Sequence, residues 1–277
     1  MSHIENRVIL ITGAGSGIGR LLATEAASRG ASIVACDINE EALKDTVTDI
    51  VDNDGQAVAV RADVTERDDL YAAVKAGVEK FGQVDVLVNN AGVMPLAHFA
   101  DHAKAGGAWD RCIDINLKGV VNGISAVYDQ MIQQGNGHII NISSIYGNYP
   151  TKGGSVYGAT KAAVNYLSES LRQETQGKIK VTTVRPTAVP NTGLSETIIN
   201  DEASAGLLGA NAGEMFERFE AVTNGNPQPG WLDADNVQYL LLESQWLVEQ
   251  ILYAIDQPWG VSISDLTVRA SGDLFVV

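Results

Sequence analysis

Cysteine is scarce in this chain of 277 residues, with Cys36 and Cys112 the only two. Neither belongs to a Cys-x-x-Cys pair or a Cys/His cluster, so a zinc site or catalytic thiol lacks its usual spacing. Both lie in apolar segments and read as reduced, partly buried thiols of a cytoplasmic protein. Basic residues are also short, 19 against 34 acidic, for a net charge of −15. A nucleic-acid backbone needs a basic footprint, so that class of partner is excluded. The excess acid reads as a solvated surface, and any anionic cofactor must find local donors. Long apolar runs are missing as well. No stretch reaches eighteen residues, so no membrane span is expected. The N-terminal "MSHIENRVILITG" has neither the charged start nor the cleavage site of a signal peptide.

What is present is an alternation of apolar strand-like runs with helix-length amphipathic stretches. "RVILIT" (7–12), "SIVACD" (32–37), "AVAVRAD" (57–63), "VDVLVNN" (84–90), "HIINIS" (138–143), "KVTTVRP" (180–186) and "SISDLTVRA" (262–270) are the strand candidates. Helices are expected at 18–28, 40–52, 66–80, 109–134, 155–175 and 236–256. Continuously apolar strands separated by helices indicate a parallel sheet covered on both faces. The expectation is an α/β chain, one Rossmann-type doubly wound domain of about seven strands spanning 1–277. The exception is an insert at about 187–235, rich in proline and ending in "NGNPQPG". Such a connection is a substrate-covering lid or a cover for the core. Its "GEMFERFEAV" places Met215, Phe219 and Val222 at helical spacing.

The turn "ITGAGSGIGR" follows the first strand and opens the first helix. Gly13 permits a sharp turn, Gly17 lets backbone approach a diphosphate, and Gly19 lets helix pack on strand. With Ser16 and Ile18 these residues form a dinucleotide-binding turn. The helix N-terminus offers free N–H groups to the anion without any basic patch. Asp37 ends the second strand, eighteen residues past Gly19. A carboxylate there accepts from adenosine ribose hydroxyls and repels a 2′-phosphate. Neither Ser16 nor Ile38 and Asn39 supplies the cation a phosphate needs, so NAD is favoured over NADP.

"SVYGATKAAV" places Tyr157 and Lys161 four residues apart, which chance alone nearly supplies. Its meaning comes from company. "TGAGSGIG", "NNAG" (89–92), "IN" ending at Asn116, "NISS" (141–144) and "YGATK" (157–161) stand in the order found in short-chain dehydrogenases/reductases, and over residues 5 to 190 the chain resembles their short, single-domain branch. The resemblance implies that Tyr157 is the catalytic acid/base and that Lys161 activates it and holds the nicotinamide ribose. It implies that Ser144, thirteen residues before Tyr157, donates to the substrate oxygen and that Asn116 holds a water in the proton relay. Asp63 and Val64 match the pair at the adenine, and Asn90 the asparagine near the adenosine ribose. An i, i+4 pair shares a helix face, so the Lys161 charge is expected to lower the Tyr157 pKa. The small residues between the two leave room for a cofactor or a partner helix.

Two departures mark the chain. The family usually has Pro-Gly after the sixth strand, whereas "RPTAVPNTG" has Thr187 in the glycine's place. Val189 still matches the backbone contact to the carboxamide, and the threonine that follows falls one residue late, at Thr192. The C-terminus lacks the usual Gly-Gly segment and looks closer to relatives acting on hydroxy acids and longer-chain alcohols.

The cleft lining expected from sequence is apolar: Met94, Leu96, Phe99, Tyr146 and Tyr149, with Met215, Phe216, Phe219 and Trp231 from the insert. Lys152 and Arg185 are the nearest cations and read as structural. These features point to an NAD-dependent alcohol dehydrogenase/ketone reductase acting on a small hydrophobic secondary alcohol. A lyase or isomerase using the same tyrosine is one alternative, and a non-catalytic dinucleotide sensor is another. The full set Asn116, Ser144, Tyr157 and Lys161 argues against the sensor, since binding alone does not need all four. Helices near 109–134 and 155–175 resemble those that pair in family dimers, so a homodimer or homotetramer is expected.

Overall fold

A computed structural model describes residues 2–190 and 192–275. Its centre is one parallel sheet in the order β3-β2-β1-β4-β5-β6-β7. The strands are β1 (Val8–Thr12), β2 (Ser32–Asp37), β3 (Gln56–Arg61), β4 (Val86–Asn89), β5 (His138–Ile142), β6 (Lys180–Pro186) and β7 (Asp265–Val268). The order reverses between β1 and β4, which opens a crevice above the C-terminal strand ends.

Alternation along each strand sends side chains to two separate cores. Ile9, Ile11, Ile33, Val88 and Ile142 meet α1 (Gly17–Ser28), α2 (Glu40–Asp52) and α9 (Ser244–Ile255) on one face. Val8, Leu10, Val34, Leu87 and Ile139 meet α3 (Arg67–Phe81), α5 (Gly119–Gln134) and α6 (Ser155–Glu174) on the other. Each fully buried Leu or Ile removes apolar surface worth about 2 kcal/mol, and this covering of both faces explains the unbroken apolar runs. Local signals set the helix ends. The Ala42 N–H donates to Asn39 Oδ1 at 3.1 Å to start α2, and Gly82, at φ 85°, stops α3.

Two helices differ from the sequence reading. The helix expected at 109–134 begins earlier, as α4 (His102–Ile113), and runs into α5 through a π-helical turn at Asp114–Lys118. The last helix begins at Ser244 rather than near 236. Residues 239–242 are apolar because Tyr239, Leu240 and Leu242 are buried in an irregular segment, with the Leu240 N–H bonded to the Trp231 carbonyl at 2.9 Å. The insert folds into α7 (Glu202–Leu208) and α8 (Ala212–Thr223), so "GEMFERFEAV" is helical as expected. Both pack with Leu96, Tyr146, Tyr157 and Trp231 in a third core above the strand ends.

The opposite end of the sheet is closed differently. Trp259 receives two cations, the Arg7 guanidinium 4.2 Å from its ring centre and the Lys180 ammonium 5.3 Å from it. Arg7 also donates to the carbonyls of Ile255 and Gln257, which binds the start of β1 to the end of α9. Among the described residues no helix is long and apolar enough to cross a membrane. Cys36 and Cys112 are free and buried.

Candidate active site

The turn after β1 is built by close approach. Gly13 has φ 69° and Gly17 φ 52°, a region that favours glycine. A Cβ on Gly19 would stand 2.1 Å from the Gly13 carbonyl oxygen, so α1 closes on the turn only without a side chain. Ser16 precedes α1 in an extended conformation and makes no side-chain cap bond. Asn90, the residue after β4, braces the turn: its amide donates to the carbonyls of Thr12 (2.9 Å) and Gly13 (3.3 Å). Asp37 is clamped between the glycine turn and its own, with Oδ2 accepting from the Gly15 N–H and Oδ1 from the Asn39 N–H, both at 2.9 Å. Asp63 accepts from the Thr65 N–H at 2.9 Å and hydroxyl at 2.8 Å. The Val64 carbonyl accepts from Asn122 of α5 at 2.9 Å.

The second half of the site sits where β5 meets α6. Ser144 begins a short 3₁₀ turn, its Oγ accepting from the Tyr146 N–H at 3.2 Å. Tyr157 and Lys161 lie in the first two turns of α6 and both are buried. The Lys161 ammonium donates to the Ile142 carbonyl at 2.9 Å and stands 5.8 Å from the Tyr157 ring centre. Asn116 is in the π-turn and wholly buried. Its Oδ1 accepts from the Val93 N–H at 2.9 Å, and its Nδ2 donates to the Val93 carbonyl at 2.8 Å. The same Nδ2 lies 3.3 Å from both Cys112 Sγ and Thr160 Oγ1. The Thr160 hydroxyl in turn donates to the Tyr157 carbonyl at 2.7 Å.

The electrostatics correct one expectation. Burial pushes the Tyr157 phenol up to about 12, and only the Ser144 hydroxyl draws it back. Burial also pushes the Lys161 ammonium down to about 8. Desolvation of both groups outweighs the attraction anticipated from their helical spacing. The small residue after Tyr157 likewise has a different neighbour from the one expected. A Cβ on Gly158 would lie 2.9 Å from the Tyr146 carbonyl, so the space is taken by the chain's own 3₁₀ turn.

Both halves open on one cleft of about 920 Å³. Gly13, Ser16, Ile18, Asp37, Asp63, Val64, Asn90, Ser144, Tyr157, Lys161, Val189 and Thr192 all line it. Gly17, Gly19 and Asn116 are not part of its lining, and Gly19 and Asn116 are buried. The expected apolar lining is only partly right. Met94, Tyr146 and Phe219 line the cleft, but Leu96, Met215 and Trp231 are buried beneath it. Phe99, Tyr149 and Phe216 are exposed outside it, Phe99 tilted against Trp109 with ring centres 5.3 Å apart. Leu194, Leu207, Val222 and Leu241 replace them, together with Arg111 of α4, which the sequence reading missed. Arg185 is structural as expected, paired with Asp265 at 2.5 Å.

A family model described as short chain dehydrogenase matches residues 7–203. An uncharacterized oxidoreductase of Listeria monocytogenes is 38% identical over 268 residues, 96% of each chain. Among solved structures, levodione reductase superposes with a TM-score of 0.77 at 25% identity, over 97% of both chains. The closed form of a serine dehydrogenase complexed with NADP+ gives a TM-score of 0.73 at 28% identity, over 94% of both. The sheet order, the glycine turn, the Ser144–Tyr157–Lys161 grouping and these likenesses lead to one statement: the chain belongs to the short-chain dehydrogenase family of oxidoreductases.

Proposed function

We propose that the chain is an NAD(H)-dependent oxidoreductase that interconverts a hydrophobic secondary alcohol and its ketone. The observation that carries this reading is the opening of Ser144, Tyr157 and Lys161 onto the same cleft as the glycine turn and the apolar side chains of the insert. The residues fit a nicotinamide dinucleotide: the turn is kept clear by glycines, and α1 presents a first turn that no side chain caps. Gly13, Ser16 and Ile18, with Gly17 and Gly19 shaping the turn, would hold the diphosphate. Asp37 would take the adenosine ribose, Asp63 and Val64 the adenine, Lys161 the nicotinamide ribose, and Val189 and Thr192 the carboxamide. Asn90 would serve by bracing the turn.

Preference for NAD rests on Asp37, whose clamped carboxylate lines the cleft. The cations of neighbouring elements are turned elsewhere, Arg20 to Asp49 and Arg61 to Asp69 at 4.0 Å. A 2′-phosphate would therefore face charge of its own sign. The NADP+ bound by the serine dehydrogenase makes this the point to measure first.

A bound nicotinamide supplies the two-electron acceptor or donor. Tyr157 takes the carbinol proton in oxidation and returns it in reduction. Ser144 donates to the reacting oxygen, and the Lys161 ammonium stabilises charge as it develops on the phenol oxygen. Because the Asn116 side chain is spent on Val93, Cys112 and Thr160, its place in a proton relay falls to its backbone carbonyl in the π-turn. Leu194, Leu207, Phe219 and Val222 give the substrate an apolar seat that excludes water. A homodimer or homotetramer through α4, α5 and α6 completes the reading, with Tyr166 of α6 exposed on that surface. The test is a panel of alcohols and ketones followed by NADH and NADPH absorbance. Turnover of apolar secondary alcohols with NAD is expected, and no response to any member would reject the reading.

A further inference from the structure

Tyr146 joins separate parts of the molecule at the edge of the cleft. It stands in the 3₁₀ turn that Ser144 opens, and its N–H donates to Ser144 Oγ at 3.2 Å. That bond occupies one lone pair of the serine and leaves the hydroxyl proton for an oxygen in the cleft. The Tyr146 carbonyl lies against α6, where a Cβ on Gly158 would come within 2.9 Å of it. The ring meets Phe275 edge-on, with centres 6.4 Å apart. The side chain is buried, and its phenol donates to the Leu207 carbonyl at 3.1 Å.

Leu207 belongs to the last turn of α7, whose carbonyls lack partners within the helix. Among the described residues no other side chain bonds a carbonyl of α7. Burial raises the Tyr146 pKa, so the phenol keeps its proton and stays a donor. Packing sets how near α7 comes to the loop before α6, since a Cβ on Gly206 would stand 2.0 Å from the Lys152 carbonyl. The phenol fixes the end of the helix at which Leu207 joins the cleft lining. One residue therefore holds Ser144 by its backbone and the apolar wall by its side chain.

We infer that Tyr146 is a positioning residue that sets substrate preference: its phenol latches α7 to the catalytic turn, so that Ser144 and the Leu207 wall keep a fixed separation. A substrate whose apolar arm reaches that wall is held with its oxygen at Ser144. The binding energy of the arm then serves the chemical step as well as affinity. The class favoured is a secondary alcohol or ketone with one long apolar arm, over one whose arms are both short. This deepens the proposed function and rests on its placing of the reacting oxygen at Ser144.

Tyr146→Phe removes one oxygen and leaves the ring, and two measurements on the full chain read the result. Hydrogen exchange followed by mass spectrometry on the NADH-loaded protein reads the latch without turnover. Amides of α7 should exchange about fivefold faster in the variant, the equivalent of one hydrogen bond, while those of β5 and α6 keep their wild-type rates. Unchanged exchange across α7 overturns the inference. Single-turnover oxidation of butan-2-ol and octan-2-ol with NAD then separates the limiting rate from half-saturation. The wild type is expected to oxidise octan-2-ol at a limiting rate about fivefold above that of butan-2-ol. Tyr146→Phe should lose that advantage and keep the tighter half-saturation for octan-2-ol. Phe275→Leu, which loosens the packing of the ring and spares the phenol bond, should keep both. A retained rate advantage in Tyr146→Phe overturns the inference. So does an equal loss in Phe275→Leu, or a wild type that turns over both alcohols at one rate. Absent turnover of every alcohol by the wild type, with α7 exchange quickened in Tyr146→Phe, would reject the dehydrogenase reading and leave the latch supported.

Discussion

The Asn116 amide nitrogen stands 3.3 Å from the Thr160 hydroxyl, which ties the π-turn between α4 and α5 to the helix that carries Tyr157 and Lys161. Thr160 lies one residue before Lys161 and its own proton goes to the Tyr157 carbonyl. One hydroxyl thus couples two elements of the site without touching the cleft.

Thr160→Val keeps the volume and removes both bonds. Its kcat is expected to fall about tenfold, the cost of misplacing Tyr157 once a buried donor is unpaired, with KM little changed. Thr160→Ser should restore kcat. Steady-state kinetics of the two variants decide it, and a Thr160→Val protein with wild-type kcat refutes the positioning role.

The ionisation of the buried pair sets a pH dependence with a definite sign. Lys161, lowered to about 8, is cationic below that pH and neutral above it. Tyr157, raised to about 12, remains a protonated phenol throughout the neutral range. Ketone reduction uses the phenol as acid and the ammonium as its partner, so kcat/KM for reduction should be level below the Lys161 value and decline above it. Alcohol oxidation needs the phenolate and should rise with pH. Lys161→Met should erase the break in the reduction profile. A wild-type reduction rate that stays constant from about pH 6 to about pH 10 would contradict this assignment.

Tyr157→Phe removes the proton carrier while leaving the ring in place. Turnover is expected to drop by about 10²–10⁴-fold, as for loss of a general acid/base, while NADH fluorescence titration gives nearly the wild-type affinity. Full activity in this variant would sink the tyrosine assignment.

Asp37→Ala releases the carboxylate held by Gly15 and Asn39. The preference for NAD over NADP, measured as the ratio of kcat/KM values, should narrow by about tenfold, the scale of one charge-assisted hydrogen bond. An unchanged ratio counts against the ribose role.

Much of this molecule is readable from its residues, and the reasons are local. β1, β2 and β5 are apolar on both faces, so their runs stand out, and Asn39 and Gly82 mark helix ends by their own chemistry. The glycine turn is legible because each glycine answers a distinct steric demand. What stayed hidden depends on contacts distant in sequence. Nothing in "DINLK" announces a π-turn, and the apolar pattern of 239–242 imitates a helix although its burial comes from Trp231 and the C-terminal segment. Arg111 falls inside the helix expected at 109–134, but its place in the cleft wall is set by how that helix packs and not by its sequence neighbours. The raised Tyr157 pKa is not legible in sequence, because spacing along a helix reveals a neighbouring charge but not the loss of water around it.

The Arg7–Trp259–Lys180 cluster gives the sheet two ends with separate duties. The floor joins β1, α9 and β6 through contacts that never reach the cleft, whereas the roof is made of α7, α8 and the loops after β4, β5 and β6. Exchange of the roof for another sequence leaves the floor's fastenings whole. The chain is in this sense a chassis with a replaceable hood, and new substrate preferences are best sought between residues 187 and 243.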